Sequence, residues 1–349
     1  MSHPPPNPIP SKPPLGLFGG NVLVAAPTSW DEACFSAPAV RAIRAARPTC
    51  TLGVVCPAEQ TDYWKSFAKM DRVISYGAGT SYREMLREQS QSKIIWESAI
   101  LWEKNDGAEL AVDLKVRQRL GYPAKDLKKW LTDEVIVEPI HGAPEHRVQY
   151  YLRFMDRLKI PVNLPQLFQP VAIVPSSQKK GIIISPESDY GTTYELSEEK
   201  WIELINIIRE KIDTTITLVS HPTSKTRLAE RIAQSVPDIM LTPLQNVGGA
   251  LPLAASQAMA ICADSSLSHV AAHAGATVVT LFGPGDPNWR RPLGRQHAVV
   301  RRKVECSPCL LAKCPMDLRC QKELSVAHVA MMILAKYDEI HSEMIGKIK

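Results

Sequence analysis

Ala263-Asp264-Ser265-Ser266-Leu267-Ser268-His269-Val270-Ala271-Ala272-His273-Ala274-Gly275 is the stretch that decides the fold. Ahead of it, Ala258 to Cys262 is an apolar run of strand length. Behind it, Thr277-Val278-Val279-Thr280-Leu281-Phe282-Gly283 is a second run rich in β-branched residues, closed by Gly283-Pro284-Gly285-Asp286-Pro287. The segment between them has helical character. Asp264 and Ser265 stand where strand hands over to helix and suit its N-cap. The first amides of such a helix lack partners and carry partial positive charge, so a strand end feeding it, with hydroxyls alongside, is a ready anion site. His269 lies one turn beyond Ser265 and Ser266 and can face the same ligand. An ordinary strand–helix–strand unit with a capping Asp and an exposed His fits the same spacing.

Moving outward, the C-terminal half alternates throughout. Gly181–Pro186, Thr215–Ser220, Ile239–Leu241, Ala258–Cys262 and Thr277–Leu281 read as strands. Ser197–Lys211, with Ser197 as its cap, and Ser224–Gln234 read as helices. The N-terminal half opens the same way. Asn21–Ala26 is a strand, Ala33–Ala46 a helix and Thr51–Cys56 a strand, a β-α-β start suited to a parallel sheet. A further strand is expected at Lys93–Trp96, with helices at Glu84–Gln89 and His146–Leu158. The first turn has no Gly-x-Gly-x-x-Gly, which disfavours a dinucleotide dehydrogenase. Between the halves, Leu158–Gly181 carries Pro161, Pro165, Pro170 and Pro175 and reads as a linker.

The 349 residues suffice for two domains with sizeable cores. Hydrophobic content of 45% and charged content of 22% are those of an ordinary globular protein. A net charge of +5 is mild. It permits attraction to an anionic membrane or nucleotide, and a nucleic-acid partner is not expected. No apolar run approaches the ~20 residues that span a bilayer. Met1 to Pro14 holds seven prolines and no basic-then-apolar signal pattern. A disordered leader over residues 1–18 and a cytoplasmic location follow as expectations. In that compartment the eight cysteines are expected to be reduced. Cys34, Cys50, Cys56 and Cys262 fall in helix or strand patterns and are expected in the core. Cys306-x2-Cys309-x4-Cys314-x5-Cys320 can supply four thiolates to a structural zinc, be four partly buried free thiols, or pair in an oxidised sample.

With these residues in view, the chain resembles the glycosyltransferase family 9 heptosyltransferases over roughly residues 20 to 345. The donor signature of that family matches Asp264, Ser265, Leu267 and His269, then Phe282, Gly283, Pro284, Asp286 and Pro287. Ser266 replaces the usual glycine, and the Cys306–Cys320 pattern recurs in many members. The resemblance implies an α/β fold of GT-B architecture, two Rossmann-like domains facing across a cleft. The expected bounds are an acceptor-side domain over 19–160, a linker over 161–180, a donor-binding domain over 181–325 and a terminal helix over 326–349.

The same resemblance implies the chemistry. A nucleotide-sugar donor, ADP-heptose, would bind at Asp264, Ser265, Ser266 and His269, with Thr193 and Tyr194 from the loop after the Gly181 strand. The acceptor would be a lipid-linked saccharide of the lipopolysaccharide core or a related envelope glycan. It would be met at the inner membrane face, which implies a peripheral location there. Transfer would invert the anomeric centre and need no obligatory cofactor. The family's Gly-Asp base pair falls here on Asp31 and Glu32, with Glu32 on the aspartate in an ungapped alignment. Its phosphate-neutralising lysine falls on Tyr194, and a tyrosine offers one neutral hydrogen bond in place of a charge. Arg290, Arg291 and Arg295 are candidate substitutes. These departures leave two further readings open: a degenerate member that binds nucleotide or a partner without turnover, and a transferase using a different nucleotide sugar.

Overall fold

The computed structural model of the chain describes residues 15–67, 70–77, 79–138, 142–171, 174 and 178–346. The N-terminal half runs β1 (Asn21–Ala25), α1 (Trp30–Ala46), β2 (Thr51–Pro57), α2 (Thr61–Phe67), β3 (Arg72–Tyr76), α3 (Tyr82–Gln91), β4 (Ser98–Leu101), α4 (Asp106–Asp113), β5 (Gln118–Gly121), β6 (Asp133–Glu134) and α5 (Val148–Arg157). The C-terminal half runs β7 (Ile182–Ser185), α6 (Glu198–Lys211), β8 (Ile216–Ser220), α7 (Leu228–Ser235), β9 (Met240–Pro243), α8 (Ala250–Ala255), β10 (Met259–Ala263), α9 (Ser266–His273), β11 (Thr277–Phe282), α10 (Pro287–Arg290), β12 (Ala298–Arg301), α11 (Arg319–Lys322) and α12 (Val326–Gly346).

Each half builds a six-stranded sheet with the same topology. The orders are β3-β2-β1-β4-β5-β6 and β12-β11-β10-β7-β8-β9. The strand pairings in both sheets are parallel. Parallel neighbours need crossover helices, and those helices cover both faces of the sheet. That is why β1, β7 and β10 read as unbroken apolar runs rather than alternating ones, and why nearly every residue in them is buried.

One expected strand sits elsewhere. Lys93–Trp96 is not a strand; the pairing partner of β1 and β5 is Ser98–Leu101. Ile95 is exposed, and the Trp96 ring lies where a Cβ on Gly53 would strike it. Trp96 therefore packs as a plug over β2, and the fully buried Ser98–Leu101 run enters the sheet instead. Helix α7 begins at Leu228 rather than Ser224, because Arg227 ahead of it is left-handed at φ 51°. Ser197 holds the N-cap position of α6 without a side-chain cap bond.

The expected leader divides. Residues 1–14 lie outside the described residues. From Leu15 the chain packs: Leu17 is buried, and the Phe18 N–H donates to Ser98 Oγ and Gln118 Oε1, each at 2.9 Å. The linker between α5 and β7 includes a short turn at Pro165–Phe168. It is tied back to α1, where Arg41 donates to the carbonyls of Gln166 and Leu167 at 3.3 Å. The C-terminal α12 lies against α6 and β12, burying Val329 and Ile333.

The halves meet face to face. Helix α1 packs on α9, and one apolar cluster runs through Phe35, Ala39, Tyr63 and Trp64 of the first half into Leu251, Leu267, Val270 and Ala271 of the second. Polar links cross the seam beside it, among them three hydrogen bonds. The Arg147 N–H donates to the Trp289 carbonyl at 2.8 Å, His146 Nε2 donates to the Arg291 carbonyl at 2.8 Å, and Tyr63 Oη meets His273 Nδ1 at 3.0 Å.

Candidate functional site

Open parallel sheets bind ligands beyond the strand C-termini where the strand order reverses. In the first sheet that point lies between β1 and β4, and in the second between β7 and β10. The two points face each other across the α1–α9 seam.

On the first side, the turn after β1 leads to Asp31 and Glu32 in the opening turn of α1. They point to different partners. Arg147 Nε of α5 donates to both Glu32 oxygens, at 2.8 and 2.9 Å, and the Tyr151 hydroxyl donates to Oε2. Glu32 is thus held within its own half. Asp31 is 3% exposed and forms an ion pair with the Arg290 guanidinium from the second half. A third carboxylate, Glu103 beyond β4, accepts from the Thr28 N–H at 2.7 Å and the Thr28 hydroxyl at 2.5 Å.

On the second side, Asp264, Ser265, Ser266 and His269 come together at the β10–α9 junction, all within 3% of full burial. Ser265 occupies the N-cap position, yet its side chain makes no cap bond. Asp264 Oδ1, Ser265 Oγ and both ring nitrogens of His269 are buried without a hydrogen-bond partner. Such groups are costly to leave unmade. Gly285 of the following turn makes room for Asp264, since a Cβ there would strike Oδ2. Asp286 caps α10 by accepting from the Asn288 N–H at 2.9 Å. Burial, and then the charge of Asp189, push the Asp264 carboxyl well above the ordinary range. Burial, reinforced by the surrounding histidines, holds His269 well below its ordinary value and therefore neutral. Its ring lies edge-on to Phe35 of α1 at 4.8 Å, so His269 faces the seam and is not the exposed histidine of an ordinary surface helix.

The loop from Glu187 to Glu195 closes this side. Ser188 Oγ donates to the Asp264 carbonyl at 2.6 Å. Buried Glu187 accepts from the His221 N–H at 2.6 Å and the Ala229 N–H at 3.2 Å, fastening the end of β8 and α7. Asp189 Oδ1 accepts from the Ser266 N–H at 2.9 Å. Thr193 turns away from the junction and donates to the Leu311 carbonyl at 2.7 Å. Tyr194 is buried, edge-on to Tyr190 at 5.7 Å. Arg290 stacks over the Tyr190 ring at 4.3 Å, which brings a guanidinium beside the position where the lysine is missing. A pocket of about 490 Å³ opens beside this loop, lined by Asp189, Tyr190, Thr192, Thr223 and Lys225 among others.

Cys34, Cys50, Cys56 and Cys262 are buried as expected. Cys306, Cys309, Cys314 and Cys320 line one small pocket together with Thr193 and Pro284. Among the described residues, no group of three or more His, Cys, Asp or Glu side chains is arranged to hold a metal ion. The reading of the cluster as free thiols is the one this structure illustrates. Cys306 is exposed while Cys320 is buried. Backbone bonds fasten the segment instead: the N–H groups of Cys309 and Leu310 both donate to the Pro284 carbonyl, at 3.1 and 2.9 Å.

Sequence reasoning missed Asp189, Arg147 and Glu103. Asp189 lies inside the quoted loop, but its partner is 77 positions away. For Glu103, the small signal was a carboxylate just after the apolar Ser98–Leu101 run, at a strand C-terminus.

Two parallel α/β halves with their switch points opposed define a GT-B fold. The structure is similar to E. coli ADP-heptose lipopolysaccharide heptosyltransferase II, with a TM-score of 0.68 and 16% identity over 94% of this chain and 100% of that one. It is likewise similar to an E. coli heptosyltransferase solved with ADP, with a TM-score of 0.69 and 17% identity over 90% and 99% of the two chains. The sequence profile described as glycosyltransferase family 9 (heptosyltransferase) matches residues 142–319, and the chain belongs to that family. Lipopolysaccharide heptosyltransferase 1 of Pseudomonas aeruginosa is 25% identical over 128 residues, and this match spans 36% of each chain. Among the described residues, no helix is long and apolar enough to cross a membrane.

Proposed function

We propose that the chain transfers a heptose or a closely related sugar from a nucleoside-diphosphate donor, ADP-heptose first, to a lipid-linked saccharide acceptor. A lipopolysaccharide core or related envelope glycan at the inner membrane face fits that role, with peripheral attachment there. The observation that carries this reading is the set of buried, partnerless polar atoms on Asp264, Ser265 and His269, at the switch point of the half that carries the family signature. Such atoms are where a ligand completes a hydrogen-bond set. The heptosyltransferase solved with ADP supports the nucleotide, and the names of the relatives support the acceptor.

In this mechanism Asp31 takes the acceptor proton. It faces the second half, whereas both Glu32 oxygens are already engaged by Arg147 and one also by Tyr151. Glu32 then positions α1 against α5. The acceptor oxygen attacks the anomeric carbon as the bond to the diphosphate breaks, which inverts the centre. The developing phosphate charge meets the N-terminus of α9 and the Arg290 guanidinium, which substitutes for the lysine. Arg290 leaves Asp31 in doing so and frees the carboxylate to act. The test is a transfer assay with purified protein, ADP-heptose and a lipopolysaccharide acceptor truncated before its heptoses. Appearance of ADP together with glycosylated acceptor supports the reading; no transfer with any nucleotide sugar rejects it. ADP binding without transfer points to the degenerate reading, which the Asp31–Arg290 ion pair and the missing lysine favour.

A further inference from the structure

The N-terminus of α9 is where the donor diphosphate would sit under the proposed function, and the chain has put one of its own carboxylates there. Asp189 Oδ1 accepts the Ser266 N–H at 2.9 Å. This is the bond a phosphate oxygen makes at a helix start. The residue built to cap the helix does not do so: Ser265 stands at the N-cap with its hydroxyl buried and unpartnered. Asp264 Oδ1 beside it is also buried and unpartnered. The junction therefore holds polar groups meant for something other than Asp189, while Asp189 takes the amide. Its surroundings favour departure. Its side chain is 25% exposed, on a pocket of about 490 Å³. The only ion-pair contact found for it among the described residues is His221 Nε2, at 3.8 Å. Burial lowers the pKa of that imidazole and so favours its neutral form.

We propose that Asp189 is an intramolecular occupant of the diphosphate site, bound to α9 while the donor is absent and displaced when it arrives. This rests on the reading of that site as the donor site. Every ADP molecule must then compete with a tethered anion, and its apparent affinity is reduced by the fraction of chains in which Asp189 is bound. A charge at a helix N-terminus is worth enough to make that factor about tenfold. The device keeps the helix start satisfied in the empty protein and withholds it from weakly bound anions.

The experiment is calorimetric titration of the full chain with ADP and with adenosine, for the parent protein, Asp189→Asn and Asp189→Ala. Asparagine can still accept the Ser266 N–H but carries no charge. Both variants are expected to bind ADP about tenfold more tightly than the parent, with adenosine affinity unchanged. Thermal melting of each variant establishes that it is folded. Equal or weaker ADP binding in folded Asp189→Asn and Asp189→Ala overturns the proposal while leaving the donor reading intact. Tighter ADP binding without sugar transfer from any donor overturns the transferase reading and leaves Asp189 in its assigned role. ADP binding by none of the three proteins overturns both.

Discussion

The two switch points have the same strand order around them and differ in how their charged and hydroxyl groups are satisfied. On the first side the carboxylates are paired, Glu32 and Glu103 within their own half and Asp31 with Arg290 across the seam. Glu103 takes the Thr28 N–H and hydroxyl, Asn105 caps α4 by accepting the Ala108 N–H at 3.0 Å, and Gln60 donates to the Pro27 and Thr28 carbonyls. On the second side Asp264, Ser265 and His269 are buried with atoms left over. Topology alone sets where a ligand can go. The unmet hydrogen bonds, not the strand order, say which of two equivalent places is built around one.

The largest expected effect tests whether the satisfied side contributes chemistry at all. Asp31→Asn should lower transfer by about 10²–10⁴-fold, the usual worth of a general base, with donor affinity little changed. Glu32→Gln, whose partners are Arg147 and Tyr151, should lose less in the same assay. If Glu32→Gln loses more, the base is Glu32 and the mechanism shifts by one residue.

Next in size is a substitution on the unsatisfied side. His269→Phe keeps a ring against Phe35 and removes two unpartnered buried nitrogens, so denaturant unfolding should report stability unchanged or raised by about 1–3 kcal/mol. ADP affinity should fall. A clear loss of stability would mean that His269 is already paired and would erase the contrast between the sides.

Acidification addresses the same buried groups. Burial lowers His273 to about 3 and His297 to about 4, and it drives His269 well below its ordinary value. From pH 6.5 down to about 4, the unfolded chain binds protons at these sites that the folded chain does not. Stability therefore rises with pH across that window and is lost on acidification, by up to about 1.4 kcal/mol per pH unit for each such group. Asp264 and Glu195, whose carboxyls are raised by burial first, act in the opposite sense. Burial lowers His146 and His221 as well, so five histidines against two carboxyls leave a net loss. Urea midpoints at pH 7, 6 and 5 measure it, and a midpoint that climbs as pH falls would show the carboxyls in control.

The smallest effect belongs to the satisfied side. Glu103→Ala removes the acceptor for two Thr28 donors that are partly open to water, and should cost about 1 kcal/mol. No change in donor affinity is expected.

How much of this was legible depends on the range of the signal. The β10–α9–β11 unit and the Gly283–Pro287 turn were readable because strand, cap and turn signals are local. The parallel sheets followed from the unbroken apolar runs. Lys93–Trp96 misled because an apolar run does not say whether Trp96 enters a sheet or plugs over Gly53. Thr193 and Tyr194 were placed by alignment with a lysine-bearing loop; here Thr193 donates to Leu311 and Tyr194 is buried. Asp189 and Arg147 act on partners 77 and 115 positions away, a distance over which no single-sequence pattern carries information. The cysteine spacing brought Cys306, Cys309, Cys314 and Cys320 to one pocket, but among the described residues no metal-holding group forms there.

The apolar seam between α1 and α9 has a consequence for how the chain folds. Phe35 and Trp64 belong to one half, Leu267 and Val270 to the other, and all four sit in a single cluster. Severing the chain in the Pro165–Phe168 region would leave each fragment with half an interior facing water. The fragments should associate or aggregate rather than persist as independent modules. The intact protein should melt in one cooperative transition, with the loosening of either half felt at once by the other.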